Sequence, residues 1–254
     1  MSTVRVKNVE IGEGIPKICV PIVGSSREEI LKAAEEIKMQ PVDVVEWRAD
    51  WYEDVLDLEK TQETLGQLQK ALGEVPLLFT FRTSKEGGER SITQEAYVSL
   101  NQTMARSGCA DLIDVEMFTG DEAVSTIVQT AHECGVKVIM SNHDFQKTPD
   151  QKEIVSRLCR MQEMGADIPK IAVMPQCKKD VLTLLAATQE MVLEHADRPV
   201  ITMSMASDGV ISRLCGEVFG SALTFGAAGK ASAPGQMEVK DLRTVLEILH
   251  KSLG

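Results

Sequence analysis

The sequence lacks the features that mark membrane, secreted or nucleic-acid-binding proteins. No apolar run reaches the roughly 18 residues needed to span a bilayer, and no signal-peptide pattern stands at the N-terminus. Basic residues are in the minority: 27 Lys and Arg stand against 38 Asp and Glu, for a net charge of −11. That balance argues against nucleic acid or an anionic membrane as a general partner. It leaves room for a small anionic substrate wherever arginines converge. The six cysteines form no Cys-x-x-Cys pair, and none has a histidine at zinc-finger spacing. Cys19, Cys134 and Cys215 lie in apolar or helical contexts, where a free thiol behaves as a small hydrophobe. A reducing cytoplasm is the expected setting. Linkers, low-complexity tracts and repeats are also missing, so a single domain over residues 1–254 is expected.

What is present is a regular alternation of short apolar runs with longer amphipathic stretches. Eight runs rich in Val and Ile read as strands: 17–22, 43–48, 77–82, 111–117, 136–141, 168–173, 200–205 and 221–225. They are almost continuously apolar, as parallel strands covered on both faces are. Helix starts are marked between them. Ser26–Glu29, Thr119–Glu122 and Thr148–Gln151 fit the capping-box pattern, with Pro149 expected at a first helical position. Helical periodicity runs through Ile154, Leu158, Met161 and Met164, through Val181, Leu184, Leu185 and Thr188, and through Leu242, Val245, Leu246 and Leu249. Eight strand–helix units at about 250 residues predict a single-domain (β/α)8 barrel. An open doubly wound sheet is the alternative, because strand order is invisible in one sequence. Ahead of the first unit, 4–7 and 9–11 predict a small hairpin across Asn8 that plugs one barrel end.

In such barrels the active site lies at the C-terminal ends of the strands. Those ends carry Glu46, Arg48, Arg82, Glu116 and His143, with Arg213 just inside the helix after strand seven. Lys170 stands apart as a cation embedded in Ile168-Pro-Lys-Ile-Ala-Val173. Taking an ammonium out of water favours its neutral form, and a neutral amine attacks ketones. Spacing alone leaves open a lysine that snorkels, or that pairs with a carboxylate such as Glu116. His143, at a strand end, suits proton transfer near neutral pH. His132, His195 and His250 fall in helices and read as surface or core residues. No His-Glu-x-x-His pattern or neighbouring His or Cys supports a metal site. The segment Glu86-Gly-Gly-Glu89 reads as a mobile loop with a solvated Glu86. Gly226–Ser232 fails as a phosphate loop, since Thr224 stands where its first glycine should be and Ala231 follows Lys230. Residues 226–236 read better as a flexible lid, with Met203 and Met205 lining the wall beneath.

Taken together, Glu46-Trp-Arg48, Phe79-Thr-Phe-Arg82, Glu86-Gly-Gly88, Ser141-Asn-His-Asp144, Ile168–Pro175, Gly209–Arg213 and Ala231–Gln236 resemble the type I 3-dehydroquinate dehydratase family, in order and over essentially the whole chain. The resemblance implies a (β/α)8 barrel, a homodimer, no cofactor and no metal. It implies dehydration of 3-dehydroquinate to 3-dehydroshikimate by syn elimination, in the shikimate route to aromatic amino acids. It makes Lys170 the Schiff-base lysine, His143 the proton-transfer residue and Glu86 the group that orients His143. It makes Glu46, Trp47, Arg48, Arg82, Arg213, Ser232 and Gln236 substrate-binding, with Arg213 on the carboxylate. One position departs: where some members carry a serine near the end of the first strand, this chain has Pro21, which offers neither hydroxyl nor N–H. Two other classes stay open on the residues alone, namely a non-catalytic binder of an anionic metabolite and an aldolase-type enzyme using the same lysine on an open-chain substrate.

Overall fold

A computed structural model gives the architecture, describing residues 2–229 and 235–253. Strands β1 (Val4–Val6) and β2 (Val9–Ile11) pair antiparallel, with Val4 opposite Ile11. Lys7 takes the left-handed conformation at their turn, with φ 51°. Eight parallel strands come next: β3 (Lys17–Ile22), β4 (Val44–Arg48), β5 (Leu77–Thr80), β6 (Leu112–Glu116), β7 (Lys137–Asp144), β8 (Ile168–Val173), β9 (Ile201–Ser204) and β10 (Leu223–Ala227). Each pairs with its predecessor from β4 to β9, and β10 returns to pair with β3 through Leu223 and Lys17. The sheet is therefore curled into the expected barrel, preceded by the expected hairpin.

The helices are α1 (Arg27–Lys38), α2 (Leu58–Leu72), α3 (Gln94–Arg106), α4 (Asp121–Glu133), α5 (Gln151–Glu163), α6 (Lys178–Glu190), the short pair α7 (Val210–Leu214) and α8 (Gly216–Phe219), and α9 (Val239–Leu253). The capping expectation holds at α1, where the Ser26 hydroxyl accepts from the Glu29 amide and Glu29 reaches back to Ser25. It fails at α4, whose cap is Gly120 without a side-chain bond. It also fails at α5: Asp150 is the cap, Pro149 precedes the helix, and the Thr148 hydroxyl donates to the Met174 carbonyl. Thr148 is drawn off by a neighbouring loop, which sequence spacing does not register.

Most strand ends differ from the apolar runs by a residue or two, β5 stopping at Thr80, and two strands run past the C-terminal ends of theirs. β7 continues to Asp144, because His143 and Asp144 keep pairing with Ala172 and Val173 of β8. β10 continues through Gly226 and Ala227, which pair with β11 (Met237–Glu238). These two residues of the expected lid are thus barrel strand, and 230–234 lie outside the described residues. Ladder pairing is a cross-strand property, so an apolar run does not fix where it ends.

Successive strand residues point to opposite faces, and this alternation sorts the core into two layers. Ile18, Val20, Val45, Trp47, Phe79, Ile113 and Val115 face outward and pack with the helices. Cys19, Val44, Leu78, Leu112, Ile139, Ile168, Ile201 and Leu223 face inward, joined by Val4, Val6 and Ile11 of the hairpin. The hairpin therefore seals the apolar N-terminal end of the barrel. Further along the same inward rows the residues become polar: Glu46 and Arg48 on β4, Asp114 and Glu116 on β6, Ser141 and His143 on β7, Lys170 on β8. Of the cysteines, Cys19 and Cys215 are buried as expected, whereas Cys134 is exposed at the end of α4.

Candidate active site

The C-terminal mouth of the barrel opens into a cavity lined by Glu46, Arg48, Arg82, Glu86, Gly87, His143, Phe145, Lys170, Ala172, Met203, Met205, Arg213, Phe225 and Gln236. Lys170 forms its floor. Its side chain is 3% exposed, with Nζ 3.4 Å from Asp114 Oδ2 and 4.4 Å from the centre of the Phe225 ring. The carboxylate facing it is Asp114 and not Glu116. The side chain of Glu116, two residues further along β6, instead takes Thr83 N–H at 2.8 Å, Thr83 Oγ1 at 2.7 Å and Arg82 Nη1 at 2.9 Å.

Arg82 ties these groups together. Its Nη2 lies 2.8 Å from Asp114 Oδ1, and its Nη1 also donates to Ser141 Oγ at 3.0 Å. Burial works against its charge, but Asp114 and Glu116 outweigh that, and its pKa is raised. Burial likewise opposes ionisation of Asp114, yet the nearby Arg82 and Lys170 hold its carboxyl below the usual range. Arg48 donates twice to Asp50 at 2.7 Å, and Glu46 accepts from the Thr80 hydroxyl at 2.9 Å. Arg48 and Arg82 are thus clamped by carboxylates, which fixes their orientation toward the cavity.

His143 Nδ1 lies 2.9 Å from Glu86 Oε2, and the same oxygen accepts from the His143 backbone N–H at 2.9 Å. Asn142 donates to Glu86 Oε1 at 3.2 Å. Desolvation first, then the charges of Arg82, Lys170 and Arg48, push the His143 pKa well below its ordinary value. These effects favour the neutral imidazole, and Nε2 is the nitrogen not engaged by Glu86. Burial, then the neighbouring Glu116, push the Glu86 carboxyl up to about 8. Glu86 is accordingly not the solvated loop carboxylate expected, since it is 6% exposed. It ends a helical turn over Ser84–Glu86 that Gly87 closes with φ 82°. Gly88 lies so close to Arg82 that a Cβ there would stand 1.9 Å from the Arg82 carbonyl oxygen.

Arg213 on α7 is 2% exposed, with Nη1 3.7 Å from Met203 Sδ. Burial draws its pKa down to about 10, which leaves it cationic at neutral pH. Met203 and Met205 line the wall, as expected. Trp47 does not reach the cavity. Lying between Glu46 and Arg48, it points to the other face of β4 and packs edge-on against Phe79, with ring centres 5.6 Å apart. Ser232 lies outside the described residues. Asp50, Asp114 and Phe225 were missed by sequence reasoning. The alternation Asp114–Val115–Glu116 places Asp114 on the same inward row as Glu116, but its partner stands 56 residues away. Of the surface or core positions expected for His132, His195 and His250, the structure gives the surface to all three. Among the described residues no group of three His, Cys, Asp or Glu is placed to hold a metal ion, and no helix is long and apolar enough to cross a membrane.

Fold and site together define a (β/α)8-barrel enzyme working at the C-terminal mouth of its strands. The sequence model of the type I 3-dehydroquinase family matches residues 18–253. A curated 3-dehydroquinate dehydratase from Clostridioides difficile (strain 630) is 58% identical, over 99% of this chain and 98% of that protein. One from Listeria welshimeri is 59% identical, over 99% of each. The crystal structure of a type I 3-dehydroquinate dehydratase from Clostridium difficile with covalently modified comenic acid superposes with a TM-score of 0.97, at 58% identity, covering 99% of this chain and all of that one. That of 3-dehydroquinate dehydratase from Geobacillus kaustophilus gives 0.96 at 39% identity, covering 98% of this chain and 97% of that one. The chain belongs to the type I 3-dehydroquinase family.

Proposed function

We propose that this chain converts 3-dehydroquinate to 3-dehydroshikimate and water through a Schiff base on Lys170. The observation that carries the reading is a buried primary amine on the floor of a cavity whose wall holds His143, its ring anchored through Nδ1 by Glu86. Family membership supplies the substrate.

A ketone acidifies its neighbouring C–H only weakly. Condensation with Lys170 releases one water and gives a protonated imine, a stronger electron sink. His143 Nε2 takes the proton from the adjacent carbon, leaving an enamine. The enamine electrons reform the C=N bond as the β-hydroxyl departs, and that hydroxyl takes a proton from His143 to leave as water. Loss of both groups from one ring face makes the elimination syn. A second water hydrolyses the imine, so one water is lost per turnover. Glu86 fixes the imidazole through Nδ1, so Nε2 performs both transfers. Glu46, Arg48, Arg82, Arg213 and Gln236 bind substrate, with Arg213 gripping the carboxylate in a bidentate pair. Pro21, on the inward row of β3, offers the substrate neither a hydroxyl nor an N–H.

The reading places the chain in the cytoplasm as one barrel domain, in the shikimate route to aromatic amino acids, and as a homodimer. Exposed Leu193 and Val218 line one surface groove with Phe219, apolar surface that a second copy can cover. Sedimentation reads the dimer, and growth of an aromatic auxotroph lacking this activity reads the pathway step. The chemistry is tested by adding borohydride with 3-dehydroquinate. A reduced adduct on Lys170, with activity abolished in Lys170→Ala, is expected. An active Lys170→Ala variant overturns the covalent route, and binding without product or adduct leaves only a metabolite-binding barrel.

A further inference from the structure

The Lys170 nitrogen is held between two groups that both favour positive charge on it. On one side is the Asp114 carboxylate, wholly buried, with Oδ2 at 3.4 Å. On the other is the face of the Phe225 ring, 4.4 Å from Nζ to its centre. The carboxylate is not rotationally loose. Its Oδ1 accepts from Ser141 Oγ at 2.6 Å and faces Arg82 Nη2 at 2.8 Å, which turns Oδ2 toward the lysine. An aromatic face attracts a cation through its quadrupole, most strongly where water is excluded. Attack on a ketone needs the amine neutral, so neither group helps that first step. Both help once the imine has formed, because it is an electron sink only while its nitrogen carries positive charge. A fixed carboxylate and a fixed ring stabilise that charge without reorganising as it forms.

We propose that Asp114 and the ring of Phe225 form a cradle that keeps the Lys170 imine protonated, with Asp114 as its counter-ion. The inference rests on the Schiff-base reading and assigns two residues to it. The proton is the one the imine nitrogen retains after carbinolamine dehydration; Asp114 holds it in place as an ion pair and does not remove it. Arg82, bonded to the other carboxylate oxygen, keeps Asp114 ionised while the lysine is bound to substrate.

The test uses the whole chain, with 3-dehydroquinate as probe and borohydride, which reduces the protonated imine in preference to the neutral one. Asp114→Asn keeps the shape and removes the charge. It is expected to lower kcat on the order of 10²-fold, to change KM little, and to lower the fraction of enzyme trapped as adduct at saturating substrate. Phe225→Leu is expected to lower kcat about 3–30-fold, also with less trapping. A variant that merely loosened the site would raise KM and leave trapping at saturation intact. Should Asp114→Asn fail to fold, Phe225→Leu decides alone. Parental kcat in either folded variant, or a reduced kcat with undiminished trapping, overturns the cradle. Absence of adduct in the parent protein overturns the Schiff-base reading and the cradle with it. Adduct in the parent with unaffected variants overturns the cradle only.

Discussion

His143 and the exposed histidines of the chain are the same side chain in different electrostatic company. His132 sits at the surface beside Asp167, with Nε2 2.9 Å from Oδ2, whereas His143 is recessed among Arg82, Lys170 and Arg48. Because burial and those cations lower the His143 pKa, the imidazole charges only below its ordinary value near 6.5. The acid limb of kcat/KM that reports its protonation is therefore expected below about pH 6.5, read from a pH–rate profile; a limb above that value would contradict it. The same shift bears on stability. The unfolded histidine binds its proton more readily than the folded one, so this contribution is present above about pH 6.5 and is lost as pH falls toward the folded pKa. Glu86 has the opposite sign: raised to about 8, it contributes fully below the ordinary carboxylate pKa and loses that as pH rises through 8. Arg213→Ala should raise KM roughly 10–10²-fold, because the bound carboxylate loses a charge-assisted, two-bond partner. An unchanged KM would remove Arg213 from the carboxylate.

At the scale of elements, the barrel is closed by something other than a full ladder. Between β9 and β10 there is one isolated parallel bridge, Val200 to Ser221. The Ser221 hydroxyl extends it, accepting the Thr202 amide at 3.0 Å and donating to the Thr202 carbonyl at 3.2 Å. Ser221→Ala leaves that buried amide unpaired and is expected to cost about 1–3 kcal/mol, measured by denaturant unfolding. A second test lies in the loop after β5. Gly88→Ala forces its new methyl against the Arg82 carbonyl, so the turn carrying Glu86 must move. Both lower kcat and a lower melting temperature are expected, and a variant equal to the parent in both would show that the turn shifts without cost. Neither feature was legible in the sequence. A serine at a strand start and a glycine pair after a strand are common, and what each touches is set by register. The strand cores themselves were legible, because burial on both faces requires nearly unbroken apolar runs.

The whole molecule separates stability from chemistry along the barrel axis. The hairpin and the apolar inward rows fill the N-terminal half, and the charged groups fill the C-terminal half. Ile11, wholly buried in that plug, packs with the apolar inward rows and does not line the cavity. Ile11→Ala is expected to cost about 2–5 kcal/mol of stability while leaving kcat and KM of the folded protein near parental values. A large loss of kcat at full folding would show the two ends coupled. The net charge of −11 poses no conflict with an anionic substrate, because Arg48, Arg82 and Arg213 all line one cavity.

By itself the sequence determined the number and order of strand–helix units, the hairpin ahead of them, and the lysine in an apolar strand. Each comes from periodicity within a few neighbouring residues. Alternation also decided that Trp47 faces away from Glu46 and Arg48, although its place inside their motif suggested a binding role. Tertiary structure alone decided that Asp114 meets Lys170, that Asp50 clamps Arg48, that Thr148 leaves its helix cap for Met174, and that one serine helps seal the barrel. Those outcomes depend on the register of strands and loops, most of them brought together from tens of residues apart. Register is settled only when all eight strands close on one another.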